Sequence, residues 1–188
     1  MRFIIVTAMF IFTGCGDAGV GSLHGDYLVV SDCRNGMDVE FAPYEMDGDF
    51  FALQTLGNIA FIRMQPGGQL LHRSDALVIQ VSDPHFVQSR LNEKIFFDNP
   101  KVRATLHILG SCPDSAQSMT AYDGPGEGGW GHIIFTHFGV KKGDRIEASL
   151  VFDLRDDRTG ELVGLGFKGT FDFTVRVGKP YQPFSDKI

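Results

Sequence analysis

The residues best suited to contact a ligand lie in the segment 122–130, which contains the only tryptophan of the chain. This segment begins with Tyr122, contains four glycines and ends with Trp130. Aromatic rings in such a loop can stack on sugar rings and on other flat ligands. Tyr122 and Trp130 are therefore the candidate residues of a ligand-binding loop. A flexible hairpin in which Trp130 folds back onto the core or the rim of the domain is the interpretation that the segment favours.

The six histidines of the chain lack the spacing of a metal site. His132 and His137 are five positions apart, which on one regular strand places them on opposite faces of the sheet. His107 could meet His137 only if their two strands were neighbours. Histidines on the solvent face of strands explain this pattern better than metal ligands do, so we predict no metal.

One acidic segment has residue types that could hold a cation. Asp153, Asp156 and Asp157 could offer calcium several carboxylate oxygens from a turning loop. The segment lacks the spacing of the twelve-residue calcium loop, and Arg155 and Arg158 within it would oppose a cation. We interpret it as a polar hairpin turn.

The sequence contains no motif that identifies a catalytic site. No serine stands in a G-x-S-x-G context, and Ser111 precedes Cys112 and Pro113 in what we interpret as a strand end closed by a turn. Fingerprints for phosphate or dinucleotide binding are also absent, so we predict no cofactor. A carboxylate pair for glycoside hydrolysis stays open, because a chain with 23 acidic residues always contains pairs.

Residues 1–14 have the charge order of a secretory signal. One positive charge precedes about ten apolar residues, a stretch too short to cross a bilayer as a helix. Residues 12–15 then resemble the bacterial lipobox, although Phe12 stands where that family most often has leucine. The resemblance implies cleavage after Gly14, a diacylglyceryl thioether on Cys15, and acylation, for example with palmitate, of the new amino terminus.

Two alternatives for this end of the chain stay open. One is a plain signal peptide cut nearby, and the other is a buried amino-terminal strand in which Cys15 is coincidental. With a lipidated Cys15, the glycine-rich residues 15–25 become a short flexible tether that connects the lipid to a domain over 26–188. Two or three acyl chains anchor a protein stably. Gly16, rather than aspartate, follows the cysteine, which favours the outer over the inner membrane.

The charge of the chain argues against nucleic acid as a partner. The formal net charge is −6 and the pI is about 5.4, so the basic footprint of a nucleic-acid binder is missing. An acidic domain also gains nothing from the negative surface of a membrane. We therefore expect membrane attachment to come from the lipid on Cys15.

Two cysteines remain when Cys15 is assigned to the lipid. In an exported chain Cys33 and Cys112 are an even pair, and an oxidising compartment favours a disulfide between them. Their separation lacks the paired spacing of a zinc site. We predict the bridge Cys33–Cys112.

Alternation of apolar and polar residues predicts an all-β domain. It is clearest in residues 101–108, 145–154 and 167–177, and weaker candidates are 27–33, 59–64, 76–82 and 133–137. One helix is predicted, with Asp83 as N-cap, Pro84 at its first position and an end before Asn99 and Pro100. Seven or more short strands separated by turns favour a single β-sandwich, jelly-roll-like, over 26–188.

The end of the chain adds a second resemblance. Residues 131–136, 143–146 and 169–173 are similar to a pattern in secreted bacterial lipoproteins of unassigned function, in which a G-x-I-x-F-T strand precedes paired strands ending G-x-F-x-F. The similarity covers about the last 60 residues. It implies a β-sandwich on the cell envelope and no particular reaction.

These observations together predict a lipid-anchored protein of the bacterial cell envelope, with a β-sandwich that binds a ligand or has a structural role and is not an enzyme. Its partners would be the membrane, through Cys15, and an envelope glycan or protein. The alternative is a small secreted hydrolase that acts on envelope glycans or peptides.

Overall fold

The computed structural model describes residues 19–67, 74–122, 124–126 and 129–175. Within these ranges the protein is nearly all β, with 63% of residues in strands and 3% in helix. Thirteen of the described strands join into one antiparallel sheet that does not close on itself. The two parts of this sheet pack face to face, so the predicted all-β sandwich is confirmed.

The described elements follow one another in this order: β1 (Gly19–Gly25), β2 (Tyr27–Arg34), β3 (Met37–Phe41), β4 (Tyr44–Gly48), β5 (Phe50–Leu56), β6 (Ile59–Gln65), β7 (Ala76–Val81), α1 (Pro84–Gln88), β8 (Ile95–Phe96), β9 (Val102–Ile108), β10 (Gln117–Ala121), β11 (Pro125–Gly126), β12 (Gly129–Trp130), β13 (His132–Phe138), β14 (Arg145–Asp156) and β15 (Leu162–Thr174). The short strands β11 and β12 pair only with each other among these elements.

The two longest strands, β14 and β15, form a hairpin that belongs to both layers of the sandwich. In the first layer β1 pairs with β15 and β13 pairs with β14, while β4 and β8 lie outside them. In the second layer, nearer the hairpin turn, β2 pairs with β15 and β10 pairs with β14. The second layer continues through β3 on one side and through β9, β7, β6 and β5 on the other. A register shift after Phe152 accompanies the change of partners.

The core lies between the layers and is rich in phenylalanine. Phe167, Phe171 and Phe173 alternate along β15 and are at most 3% exposed, whereas Thr170 between them is exposed. Phe173 stacks on Phe51 of β5 with ring centroids 5.2 Å apart, which brings the last strand of the second layer onto the first layer. The predicted alternation in this strand is therefore confirmed.

Strand β1 corrects the predicted tether, because residues 19–25 form part of the sheet. A Cβ atom on Gly21 would lie 2.6 Å from Met64 Sδ, and one on Gly25 would lie 2.5 Å from the Phe167 ring. The glycines of this segment thus allow β1 to approach the core closely. Glycine-rich composition was misinterpreted as flexibility, although glycine also marks places where a backbone packs against large side chains.

The predicted helix begins where expected and ends early. Asp83 caps α1 by accepting a hydrogen bond from the Phe86 N–H, and Pro84 occupies the first position. The helix stops at Gln88, and the hydroxyl of Ser89 donates to the carbonyl oxygen of Phe86. No helix in the described ranges is long and apolar enough to cross a membrane.

The predicted disulfide between Cys33 and Cys112 is confirmed. It joins the end of β2 to the segment after β9, with the two Cα atoms 4.8 Å apart and both residues buried. The bridge closes a loop across 79 positions of sequence.

A buried carboxylate holds the chain just before Cys112. The side chain of Asp75 accepts hydrogen bonds from the three consecutive N–H groups of residues 109–111, at 2.8 to 3.0 Å. The hydroxyls of Ser111 and Tyr44 also donate to it. Burial and the neighbouring carboxylate raise the pKa of Tyr44 well above its ordinary value, so the phenol stays a donor. We call Asp75, Tyr44 and residues 109–111 the Asp75 cluster.

Candidate ligand-binding cleft

An open cleft of about 610 Å³ lies at one end of the second layer, where β7, β9, β10 and β14 meet two loops. Its lining mixes polar side chains with apolar ones, including two aromatic rings. The residues are Gln80, Phe97, Asn99, Pro100, Val102, Arg103, Thr120, Ala121, Tyr122, Arg155, Asp156, Asp157 and Gly160. The cleft thus offers aromatic surface together with hydrogen-bond donors and acceptors, the two kinds of group with which proteins contact small ligands.

Tyr122 lies in this cleft, one residue beyond β10. Its N–H donates to the carbonyl oxygen of Asp153, at 2.7 Å, which continues the pairing with β14. The guanidinium carbon of Arg155 lies 4.0 Å from the centre of the Tyr122 ring, and Arg155 also donates to the carbonyl oxygen of Gly160. Such a cation–π contact fixes both side chains and leaves other guanidinium N–H groups directed away from the ring.

The backbone at Trp130, the other candidate ligand residue, lies close to the backbone of Tyr122. β12 ends at Trp130, and Pro125 of β11 pairs with it. A Cβ atom on the next residue, Gly131, would lie 2.6 Å from the carbonyl oxygen of Tyr122. The backbone therefore brings the two ends of the predicted loop together, while the Trp130 side chain lies outside the described part of the chain.

A second polar group in the cleft was not predicted. Arg103 donates to the hydroxyl oxygen of Thr120 at 2.7 Å, and its guanidinium lies 3.4 Å from Asp157. Thr120 donates to the same carboxylate oxygen at 2.6 Å. These residues come from β9, β10 and the β14–β15 turn, and no local motif joins them. Only the pairing of β9 with β10 and of β10 with β14 could have revealed the group.

Asp153 lies beside Tyr122 and is 5% exposed. One carboxylate oxygen accepts the N–H of Gly166 at 2.8 Å, and the other has no hydrogen-bond partner among the described residues. Buried polar atoms in folded proteins are nearly always paired. The sequence placed Asp153 in an acidic cluster, but it could not show that this side chain is buried.

The predicted polar turn after Asp153 is confirmed. Asp156 is buried and accepts hydrogen bonds from the N–H groups of Arg158 and Thr159, at 2.7 and 3.2 Å. Burial opposes the ionisation of this carboxyl, but the bonds from Arg158 and Thr159 outweigh it and lower the pKa of Asp156. Its oxygens thus serve the β14–β15 turn. In the described part of the chain, no group of three or more metal-ligating side chains is close enough to hold a metal ion.

His132 and His137 lie on the same face of β13, so the prediction of opposite faces was wrong. The register of β13 against β14 shifts between Phe135 and His137, which inserts one extra residue into the strand. Phe135 and Phe138 are both buried as a result, and the two histidines both lie on the outer side. His137 Nδ1 lies 2.8 Å from a carboxylate oxygen of Glu147.

His107 and Ser118 form a pair that resembles a nucleophile and its base. They are cross-strand neighbours on β9 and β10, with His107 Nδ1 2.8 Å from Ser118 Oγ. Burial, followed by the charge of Arg63, lowers the pKa of His107 from 6.5 to about 4. An efficient general base has a pKa near the operating pH. This imidazole is neutral at pH 7 but is too weakly basic to activate a serine well.

Comparison of the chain with protein-family models, with curated proteins and with solved structures finds no match in any of the three. Of the residues predicted to be functional, the structure places Tyr122 in the cleft and joins Cys33 to Cys112. Cys15 lies outside the described residues.

Proposed function

We propose that this protein is exported and lipid-anchored at Cys15 in the bacterial cell envelope, in the outer rather than the inner membrane. The lipobox-like residues 12–15 support the anchor. The Cys33–Cys112 disulfide supports export, because structural disulfides belong mainly to proteins that leave the cytosol.

The anchor is tested by labelling cells with a fatty-acid probe. Only a thiol can carry the thioether, so we expect label on the wild type and none on Cys15→Ser. Gly16→Ala is the matched control, since it alters the neighbouring position and keeps the thiol. Equal labelling of the wild type and Cys15→Ser contradicts the proposal.

We further propose that the β-sandwich binds a glycan of the envelope in the cleft, without catalysis. The observation that supports this most is the Tyr122 ring held against the Arg155 guanidinium at 4.0 Å, beside an open cleft with both polar and apolar surface. A sugar offers an apolar ring face and many hydroxyls, which match aromatic surface and planar side-chain donors. Arg155, Asn99 and Gln80 supply such donors around the cleft.

Binding is tested by calorimetry with soluble peptidoglycan fragments and with envelope polysaccharides from the host bacterium. We expect Tyr122→Ala and Arg155→Ala to weaken binding by about tenfold or more, since each removes half of the stacked pair. Lys142→Ala is the control, because Lys142 lies on an exposed turn at the other end of β14. Full affinity in both cleft variants refutes this site, and no binding by the wild type refutes the glycan proposal.

A small secreted hydrolase is the second candidate, and the contact between His107 and Ser118 is what favours it. The low pKa of His107 weighs against it. A fluorophosphonate probe distinguishes the two functions: we expect it to leave Ser118 unmodified. Labelling that disappears in Ser118→Ala would establish the hydrolase instead.

A further inference from the structure

The start of β1 limits how far the domain can lie from its proposed anchor. β1 begins at Gly19, four positions after Cys15. Four residues of fully extended chain span at most about 14 Å. Cys15 would carry its acyl chains at the level of the lipid headgroups, which are only several ångströms thick in each leaflet. Gly19 therefore cannot be far above the bilayer surface.

Gly19 lies at one end of the β14–β15 hairpin. It pairs with Phe173 of β15, which pairs with Ile146 of β14, which pairs with Phe138 of β13. The turn 139–144 joins β13 to β14 at this end. We call Gly19 together with this turn the anchor end.

The anchor end presents side chains suited to a lipid surface. Lys141 and Lys142 in the turn are exposed, and Val20 of β1 is 68% exposed. The N–H of Gly143 donates to the carbonyl oxygen of Val175 at 2.9 Å, which holds the turn against the end of β15. Exposed lysines are attracted to anionic lipid headgroups, and the one acidic side chain of the turn, Asp144, accepts the N–H of Lys141.

The cleft lies at the opposite end of the same hairpin. β14 runs from Arg145 at the anchor end to Arg155 and Asp156 in the cleft. A fully extended strand of 12 residues is roughly 40 Å long, and β14 is shorter than this from end to end because it bends where it passes from one layer to the other. β1 also runs away from the anchor end, since its partners change from Phe173 at Gly19 to Lys168 at His24.

We propose that the anchor end rests on the bilayer that holds the Cys15 lipid, and that the hairpin holds the cleft away from that surface. This orientation rests on the proposed lipid anchor. It directs the cleft to ligands that lie beyond the headgroups, such as the glycan layer facing the membrane, and away from the lipids themselves.

The orientation is tested on the full-length lipidated protein, purified in detergent and added to preformed vesicles of phosphatidylethanolamine and phosphatidylglycerol. A fluorophore is attached without reductant to Lys142→Cys or, as the matched control, to Glu161→Cys. Both residues are exposed in turns, at opposite ends of the hairpin. The vesicles contain a nitroxide on a fraction of the lipid headgroups, and iodide serves as the quencher in water.

We expect the nitroxide to quench most of the fluorescence at position 142 and little at position 161, and iodide to quench position 161 more. Equal nitroxide quenching at the two positions, or stronger quenching at 161, overturns the orientation. Position 142 shielded from both quenchers overturns it too, because the anchor end would then be covered by protein instead of lipid. Flotation separates the two proposals: protein that floats with the wrong quenching refutes the orientation alone, and protein that does not float refutes the anchor as well.

Discussion

Two regions of the second layer contain buried carboxylates that differ in their hydrogen bonding: the segment before β7 and the part of β14 that follows the register shift. Asp75, just before β7, accepts five hydrogen bonds. Asp153, beside Tyr122 at the cleft end, accepts one, and its second oxygen has no partner among the described residues. Both residues are 5% exposed, so the difference comes from the donors around them.

This difference distinguishes a carboxylate that stabilises the fold from one that does not. Five donors compensate the desolvation of Asp75 and hold the segment that carries Cys112. A buried oxygen without a donor, as in Asp153, destabilises the folded state by about 1–3 kcal/mol. The comparison therefore marks Asp75 as a carboxylate that stabilises the fold and Asp153 as one that does not.

The largest effect is expected from the disulfide that adjoins the Asp75 cluster. Cys33→Ser combined with Cys112→Ser removes a cross-link that closes about 80 residues, which the chain-entropy relation values at about 4 kcal/mol. We expect the urea midpoint of the exported protein to fall accordingly. Tyr122→Ala in the cleft is the comparison variant. If the double cysteine variant has the same urea midpoint as Tyr122→Ala, the bridge contributes little to stability.

The next largest effect is a change of about 3 kcal/mol in unfolding free energy with pH, which we expect from the titration of His107. Its pKa in the folded protein is about 4, below the ordinary 6.5, so the unfolded chain takes up the proton first. Protonation of the unfolded chain therefore leaves the unfolding free energy unchanged above pH 6.5 and lowers it as the pH falls from 6.5 to about 4. His107→Gln should show a flatter dependence of unfolding free energy on pH over this window. Parallel curves for the two proteins would refute the shift.

The smallest effects are expected from two matched substitutions of the carboxylates themselves. Asp75→Asn removes the charge that strengthens five hydrogen bonds, so we expect a loss of about 2 kcal/mol or more in unfolding free energy. Asp153→Asn replaces an unpaired oxygen with a neutral group of similar size, and we expect a change within about 0.5 kcal/mol. Equal losses in the two variants would remove the contrast between the two carboxylates.

The strands that could be predicted are those with one face in the core and one in solvent. In β9, β14 and β15, buried and exposed side chains alternate over many residues. Each of these strands pairs with a strand on both sides and has only one face against the core. β1 was assigned to the tether because its packing depends on glycine, and β5 lacks a regular alternation in its burial. The bulge in β13 also escaped prediction, since an extra residue in a strand changes no residue type.

The candidate site was predicted in part, for a related reason. Tyr122 stands out because it begins a segment that contains four glycines and the only tryptophan of the chain. Arg155 was visible only as one of two arginines in a polar turn. Arg103, Thr120 and Asp157 come together because β9, β10 and β14 pair in a particular register. Register depends on the whole sheet, so no local pattern contains it.

The sequence by itself determined the all-β class, the pairing of Cys33 with Cys112, and the face of β15 that enters the core. Each of these depends on residue type and periodicity, because the hydrophobic effect and cysteine chemistry act on single side chains. Only the tertiary structure decided that β1 joins the sheet and that the cleft and Gly19 lie at opposite ends of one hairpin. It also decided that both oxygens of Asp75 are paired, whereas one oxygen of Asp153 has no partner among the described residues. These depend on which distant strands become neighbours, and that choice is made by the energy of the folded chain as a whole.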